Sequence, residues 1–352
     1  MNDTILTPRQ RYISNIINQS GGILREKIAE KLFPTYSVSK PTLIRDLNLL
    51  IKLKLIRSEG KAKATMYYPI SHNPLLRVFD IENYFSYDPD QRVGAKKTFD
   101  SKIFEYLTDP QLADILMPLK NATVSFSDKT KGISPDLIRR ELERFTIELS
   151  WKSSKIEGNT YTLLETESLI KEQKEASGKS KAETLMILNH KHAFDNILAN
   201  KRNFKTISIS VINQLHNTLV KGLEISTGIR RHEVGITGTI YRPLGNEHQL
   251  KEALEKTVEM VNKVTDPYLK AFIASVMFPY VQPYSDGNKR TARMLCNAIL
   301  LANDLLPLSY RNVDIDQFKK ATILFYEQLS AVAFSKIFIE QVKFSNDNYF
   351  LK

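Results

Sequence analysis

The stretch VQPYSDGNKRTARMLC, residues 281–296, limits what this chain can become more than any other, because it places a turn, three cations and a helix start in one short run. Gln282-Pro283-Tyr284 leads into Ser285-Asp286-Gly287-Asn288, a cluster of turn formers. Thr291, Ala292, Met294, Leu295, Ala298, Ile299 and Leu300 then recur with helical spacing. A helix therefore starts near Gly287. Its first N–H groups have no partner inside the helix and sit at the positive end of its dipole, so the turn suits a phosphate. Lys289, Arg290 and Arg293 add charge there. Arg290 and Arg293 lie three apart and share a helix face, on which two planar guanidiniums could grip a polyphosphate. Asp286, at the mouth, is placed to hold a magnesium ion through one carboxylate oxygen.

This run resembles the signature of the Fic family, His-x-Phe-x-Asp/Glu-Gly-Asn-Gly/Lys-Arg-x-x-Arg. Tyr284, Asp286, Gly287, Asn288, Arg290 and Arg293 fall on its positions, with Tyr284 in place of Phe. Two residues depart from it. Gln282 stands where the family has its catalytic His, and Lys289 stands where AMP-transferring members usually have Gly. The Gly-Asn-Lys-Arg form looks like the Doc branch of the family, which moves a phosphate rather than an AMP. The resemblance implies a helical Fic domain, ATP and Mg2+ as ligands, and a protein hydroxyl as acceptor.

At 352 residues and 40.4 kDa the chain has room for two or three domains. It holds no long uncharged apolar run, and its first residues, MNDTILTPRQR, lack an apolar signal segment, so the expectation is a cytoplasmic protein with no membrane partner. Cys296, the only cysteine, excludes an internal disulfide or a cysteine-built metal site and reads as a small buried helix residue. The net charge of +11 suggests an anionic partner. Most of that excess lies early. Residues 1–70 carry 12 Lys and Arg against 5 Asp and Glu, a difference of +7.

Within 1–70, Ile13, Ile16 and Ile17 mark one helix, and Ile28, Ala29 and Leu32 a second. The third starts at an expected Ser39 N-cap with Pro41 in its first turn and runs through Leu43, Leu47 and Leu50 to Leu53. Residues 55–58 and 64–68 then flank a Glu59-Gly60-Lys61 turn as a hairpin would. The order resembles a winged helix-turn-helix. That resemblance implies DNA as a partner, with Lys40, Thr42 and Arg45 of the third helix in the major groove and Lys61 and Lys63 of the wing on phosphate.

Residues 71–134 read as a helical connector whose aromatic residues serve packing. A Fic domain is expected over 135–352, opening with a helix capped by Ser134 with Pro135 in its first turn. Ser153, Glu157 and Gly158 resemble the family's inhibitory motif, Ser/Thr-x-x-x-Glu-Gly/Asn. The resemblance implies that Glu157 pairs with Arg293 and leaves ATP in an unproductive pose. His190, His192 and His216 sit inside helical patterns without further ligands at metal spacing, and read as packing or surface residues. Thr227 to Pro243 alternates like a hairpin and resembles the family's flap. There the backbone of Ile236, Thr237, Gly238 and Thr239 would pair with an extended segment of the target. The fold expected is thus mainly α: a helical Fic domain with a β-hairpin flap, plus an N-terminal winged helix.

Transfer of AMP to a hydroxyl needs a base, cations on the triphosphate and a held acceptor. The catalytic set implied by the resemblance is Gln282, Asn288 and Arg290, with Gly287, Asn288, Lys289, Arg290 and Arg293 on the nucleotide. A neutral Gln282 orients a hydroxyl but accepts no proton. The sequence therefore leads to a self-inhibited AMP transferase weakened at its base. Two alternatives accompany it: a nucleotide-sensing, DNA-binding transcriptional regulator without transferase activity, and a Doc-like phosphotransferase.

Overall fold

The computed structural model describes residues 6–20, 22–53, 55–60, 64–69, 73–120 and 122–351. The first unit runs α1 (Pro8–Ser20), β1 (Ile23–Leu24), α2 (Arg25–Leu32), α3 (Lys40–Lys52), β2 (Ile56–Glu59) and β3 (Met66–Pro69). Its antiparallel sheet has the order β1-β3-β2, with Ser58 opposite Tyr67 and Ile23 opposite the same residue from the other side. The unit has its own core, in which Ile13, Ile17, Ile28, Leu32, Leu43, Leu47 and Leu50 meet. Ala29, expected among them, faces solvent. Ser39 occupies the N-cap position of α3, but its hydroxyl is engaged with the Thr42 hydroxyl at 3.0 Å instead of a helix N–H. Asp46, only 3% exposed, ties α3 to α1 through Arg9 Nε at 2.7 Å and Gln10 Nε2 at 2.8 Å. Burial would raise the Asp46 carboxyl, and these partners hold it below its ordinary value.

The segment that follows is less helical than its apolar spacing suggests. It consists of single turns at α4 (Ile81–Phe85), α5 (Ile103–Tyr106) and α6 (Phe126–Thr130), with 3-10 turns at Pro74–Leu76, Pro89–Gln91 and Pro110–Leu119. Pro118 lies inside the third of these 3-10 turns and lacks the N–H that an α-helix interior needs, while Pro74, Pro89 and Pro110 each open their turn and cannot continue a helix from the residues before it. Leu75, Ile103, Leu112, Leu116 and Leu119 are buried in the same core as the helices beyond, so the segment is a strap on the main body.

That body holds α7 (Pro135–Ile156), α8 (Leu163–Glu172), α9 (Lys181–Asn200), α10 (Ile209–Val220), α11 (Glu247–Lys263), α12 (Pro267–Val281), α13 (Asn288–Ala302), α14 (Ile315–Gln328) and α15 (Val332–Asn348). Ser134 caps α7 by accepting the Leu137 N–H, as the sequence predicts, although Leu137 itself is exposed. α12 is buried from Tyr268 to Val281 apart from Leu269, and a helix apolar on nearly every side belongs at the centre. α13 packs against it, buried from Arg290 through Leu301. Cys296 lies within this interior, its thiol pushed up to about 12 by burial.

The expected hairpin at 227–243 does not form. No ladder joins its two limbs, and its one bridge pairs Arg242 with Thr98 of the strap. The segment is an irregular loop closed by side chains. Arg230, 3% exposed, donates to the carbonyls of Gln282, His232 and Leu244, and so joins both ends of the loop to the end of α12.

Candidate active site

The candidate site is built on the turn between α12 and α13. Gln282 ends α12 in a left-handed conformation, φ 51°, with its N–H on the Phe278 carbonyl. Gly287 begins α13, also left-handed at φ 81°. A Cβ there would lie 3.0 Å from Val220 Cγ1 and 3.4 Å from His216 Nε2, so both conformation and space demand glycine. Asn288 braces the intervening loop: its Oδ1 accepts the Tyr284 N–H at 2.9 Å, and its Nδ2 donates to the Tyr284 carbonyl and to Gln282 Oε1, both at 2.8 Å. Gln282 Nε2 in turn donates to the Pro279 carbonyl at 2.8 Å. Both ends of the Gln282 amide are therefore occupied.

Arg290 and Arg293 are each 3% exposed. Arg290 donates from Nη2 to Asp286 Oδ2 at 2.9 Å, while its Nη1 is buried with no hydrogen-bond partner among the described residues. Arg293 is turned away from it. Its Nη1 lies 2.8 Å from Glu157 Oε1, its Nε donates to Ser153 Oγ at 2.9 Å and its Nη2 to the Ser153 carbonyl at 3.0 Å. Burial alone would raise the Glu157 carboxyl, but Arg293, Lys289 and Arg290 outweigh it and hold it below its ordinary value. Lys289 Nζ stands 4.0 Å from Glu157 Oε2.

These residues enclose a polar cleft of about 210 Å³ lined by Gln282, Asp286, Gly287, Asn288, Lys289, Arg290, Glu157, Ile236 and Thr237. A second cavity of about 280 Å³ shares Glu157, Ile236, Thr237 and Lys289 with it and continues to Ile156, Gly158, Phe318, Ile323 and Tyr326. Of the four flap residues, Ile236 and Thr237 face this space. Gly238 and Thr239 do not line it; the Gly238 carbonyl accepts from Arg92 at 3.0 Å and the Thr239 hydroxyl donates to Glu327 at 2.6 Å. Asp286 remains largely exposed at the cleft mouth despite its bond to Arg290.

Three residues of this site were not legible as such. His190 is fully buried on α9, its Nδ1 donating to the Met186 carbonyl at 2.7 Å, which leaves Nε2 to accept the Ser153 hydroxyl at 2.8 Å. Burial pushes this imidazole down to about 3, so it is neutral. His216 stacks on Tyr284 at 3.7 Å and donates from Nε2 to the Asp286 carbonyl at 2.9 Å. Arg230 is the third. None has a local sequence signal, because each acts through elements far away in the chain.

The residues proposed for DNA lie elsewhere. Lys40 and Arg45 are exposed and Thr42 half-buried on α3, whereas Lys61 and Lys63 lie outside the described residues. No helix among the described residues is long and apolar enough to cross a membrane, and no group of three or more His, Cys, Asp or Glu could hold a metal.

The Fic/DOC family model matches residues 206–300, from just before α10 to within α13. Over these residues the chain is similar to a Fic domain. It is 29% identical over 167 residues to the protein adenylyltransferase Fic of Drosophila melanogaster, covering 47% of this chain and 34% of that protein. It is 27% identical over 133 residues to a probable protein adenylyltransferase of Aquifex aeolicus, covering 36% and 41%. The chain thus spans less than half the length of these relatives. Fic-1 of C. elegans superposes with a TM-score of 0.55 at 20% identity over 66% of this chain and 70% of that one, a likeness of fold. The matched segment contains the cleft turn and the loop over 227–243 but not Glu157, which follows α7 outside it.

Proposed function

We propose that this Fic domain binds ATP with magnesium and transfers AMP to a protein hydroxyl, held in check by Glu157 and weakened by Gln282. The observation that carries the reading is the pair of buried guanidiniums at the start of α13, one with an unpartnered Nη1 and the other held by Glu157. A buried N–H donor without an acceptor is costly, and a phosphate oxygen supplies one. In the transfer, the acceptor oxygen bonds to the α-phosphorus while the bond to the bridging oxygen breaks and pyrophosphate leaves. Arg290 and the α13 amides stabilise the charge that develops. Asp286, exposed at the mouth with one oxygen on Arg290, would suit one ligand position of a magnesium bound with the triphosphate, which would neutralise part of its charge. The hydroxyl proton passes to water, since Gln282 cannot take it; loss of a general base typically lowers rate about a hundredfold to ten-thousandfold. Val234 to Thr237 offer an unpaired backbone to an extended acceptor.

Two further readings have specific support. The engaged Gln282 amide, with the basic three-helix unit, favours a nucleotide-sensing regulator that binds DNA as a winged helix. Lys289 favours a Doc-like phosphotransfer with the nucleotide reversed. Calorimetry with ATP and magnesium tests the shared step: Arg290→Ala should lose at least tenfold in affinity, about 1.4 kcal/mol. If that variant binds as tightly as the parent, the phosphates do not lie where we place them.

A further inference from the structure

Outside the cleft, one buried carboxylate has more partners than its helix requires. Glu327, near the end of α14, is 0% exposed. Its Oε2 accepts the Tyr84 hydroxyl at 2.8 Å, and its Oε1 accepts Arg92 Nη1 at 3.0 Å and the Thr239 hydroxyl at 2.6 Å. Its backbone carbonyl accepts the Lys96 N–H at 2.8 Å. Two separate segments, strap and flap, converge on this one side chain of α14. Arg92 completes the junction. The same Nη1 donates to the Gly238 carbonyl at 3.0 Å, its Nε to the Tyr87 carbonyl at 3.2 Å, and its guanidinium lies 4.5 Å over the Phe85 ring.

From this convergence we propose that Arg92 and Glu327 are positioning residues for the flap, holding Ile236 and Thr237 at the cleft so that an extended acceptor meets a fixed edge. The loop has no ladder of its own, so its conformation depends on its anchors. At the base, Arg230 joins its two ends. On the outer limb, Gly238 adopts φ 85° and gives its carbonyl to Arg92, while Thr239 gives its hydroxyl to Glu327. Directly after, Arg242 N–H donates to the Lys97 carbonyl at 2.9 Å. The strap thus grips the flap at two points four residues apart, and Glu327 is the common post. An ion pair with side chains 7% and 0% exposed is a poor source of net stability but a strong constraint on geometry, because either partner left alone is a buried unpaired charge.

The proposal rests on the reading of the flap as the acceptor's docking edge, and two measurements keep the two apart. Amide hydrogen exchange is followed on the full chain for the parent, Arg92→Ala, Arg92→Lys and Thr239→Val. Exchange of the Tyr241 and Arg242 amides, which are hydrogen-bonded to the Thr239 hydroxyl and the Lys97 carbonyl, should rise by about tenfold in Arg92→Ala, and that of Tyr241 also in Thr239→Val, which removes its acceptor. Arg92→Lys, which keeps the charge but not the planar fork of donors, should recover part of the restraint. Exchange in α7 and α13 should not change. Labelling by ATP of a Gln282→His background is scored in parallel, and there Arg92→Ala should raise the acceptor KM with little effect on kcat. Unchanged exchange at Tyr241 and Arg242, or a rise that spreads equally through α7 and α13, overturns the proposal and leaves the docking reading standing. A local rise in exchange with an unaltered acceptor KM upholds the tether and refutes the docking role.

Discussion

Replacing Glu157 by alanine separates a structural ion pair from an inhibitory one. In the parent, the Arg293 guanidinium spends one nitrogen on Glu157 at 2.8 Å and two on Ser153 at 2.9 and 3.0 Å. The substitution removes its only carboxylate and leaves a cation that is 3% exposed. Removing one partner of a fully buried pair costs about 3–5 kcal/mol; here the Ser153 bonds survive and Glu157 is 20% exposed, so we expect about 2–3 kcal/mol. The unliganded melting temperature should then fall by about 3–4 °C. The triphosphate brings back a negative charge. If it pairs with the freed Arg293, part of the lost coupling returns as binding, and ATP affinity should rise about tenfold to a hundredfold, or 1.4–2.8 kcal/mol. Calorimetry and thermal shift with and without ATP and magnesium measure both halves. The pH dependence has a definite sign. The Glu157 carboxyl is held below its ordinary value, so the pair contributes fully above the unfolded value and is lost as pH falls through the folded one. The parent should gain ATP affinity in that acid window relative to Glu157→Ala. A variant that is destabilised yet binds ATP no tighter would refute the inhibitory reading, because the pair would then be only structural.

Gln282→His should restore self-labelling by ATP, and the gain with Glu157→Ala should exceed the sum of the single changes, as for groups acting in one step; α-phosphate label indicates AMP transfer, γ-phosphate label the Doc-like outcome, and neither label favours the regulator. His190 is neutral and buried with a folded value near 3, so the unfolded chain takes up a proton that the folded one refuses. Stability should fall from about pH 6.5 downward at up to about 1.4 kcal/mol per unit, and His190→Gln should flatten that slope in urea titrations between pH 6.5 and 5. For the N-terminal unit, DNA affinity should fall steeply with salt, and Arg45→Ala with Lys61→Ala should weaken it; a salt-independent signal removes DNA as the partner.

The sequence by itself determined the elements whose cause is local. The turn at Ser285 to Asn288 and the helix after it follow from glycine at φ 81° and from the apolar spacing of α13. The cap at Ser134, the three helices of the first unit and the burial of Cys296 were legible for the same reason: each depends on residues within a few positions of one another. Even the Glu157 to Arg293 contact was approachable, through the resemblance of two short motifs. Tertiary structure decided the rest. The flap reads as a hairpin because its residues alternate, but a strand needs a partner edge, and the strap offers it only the single bridge of Thr98 to Arg242. It is held instead by Arg230, Arg92 and Glu327, whose partners stand 52, 146 and 88 residues away along the chain. His190 carries no sign of its contact with Ser153, 37 positions earlier. Such charges and imidazoles look like surface residues in one dimension. Only packing removes their water, and once water is gone each must find its partner among groups that the fold, not the local sequence, brings near.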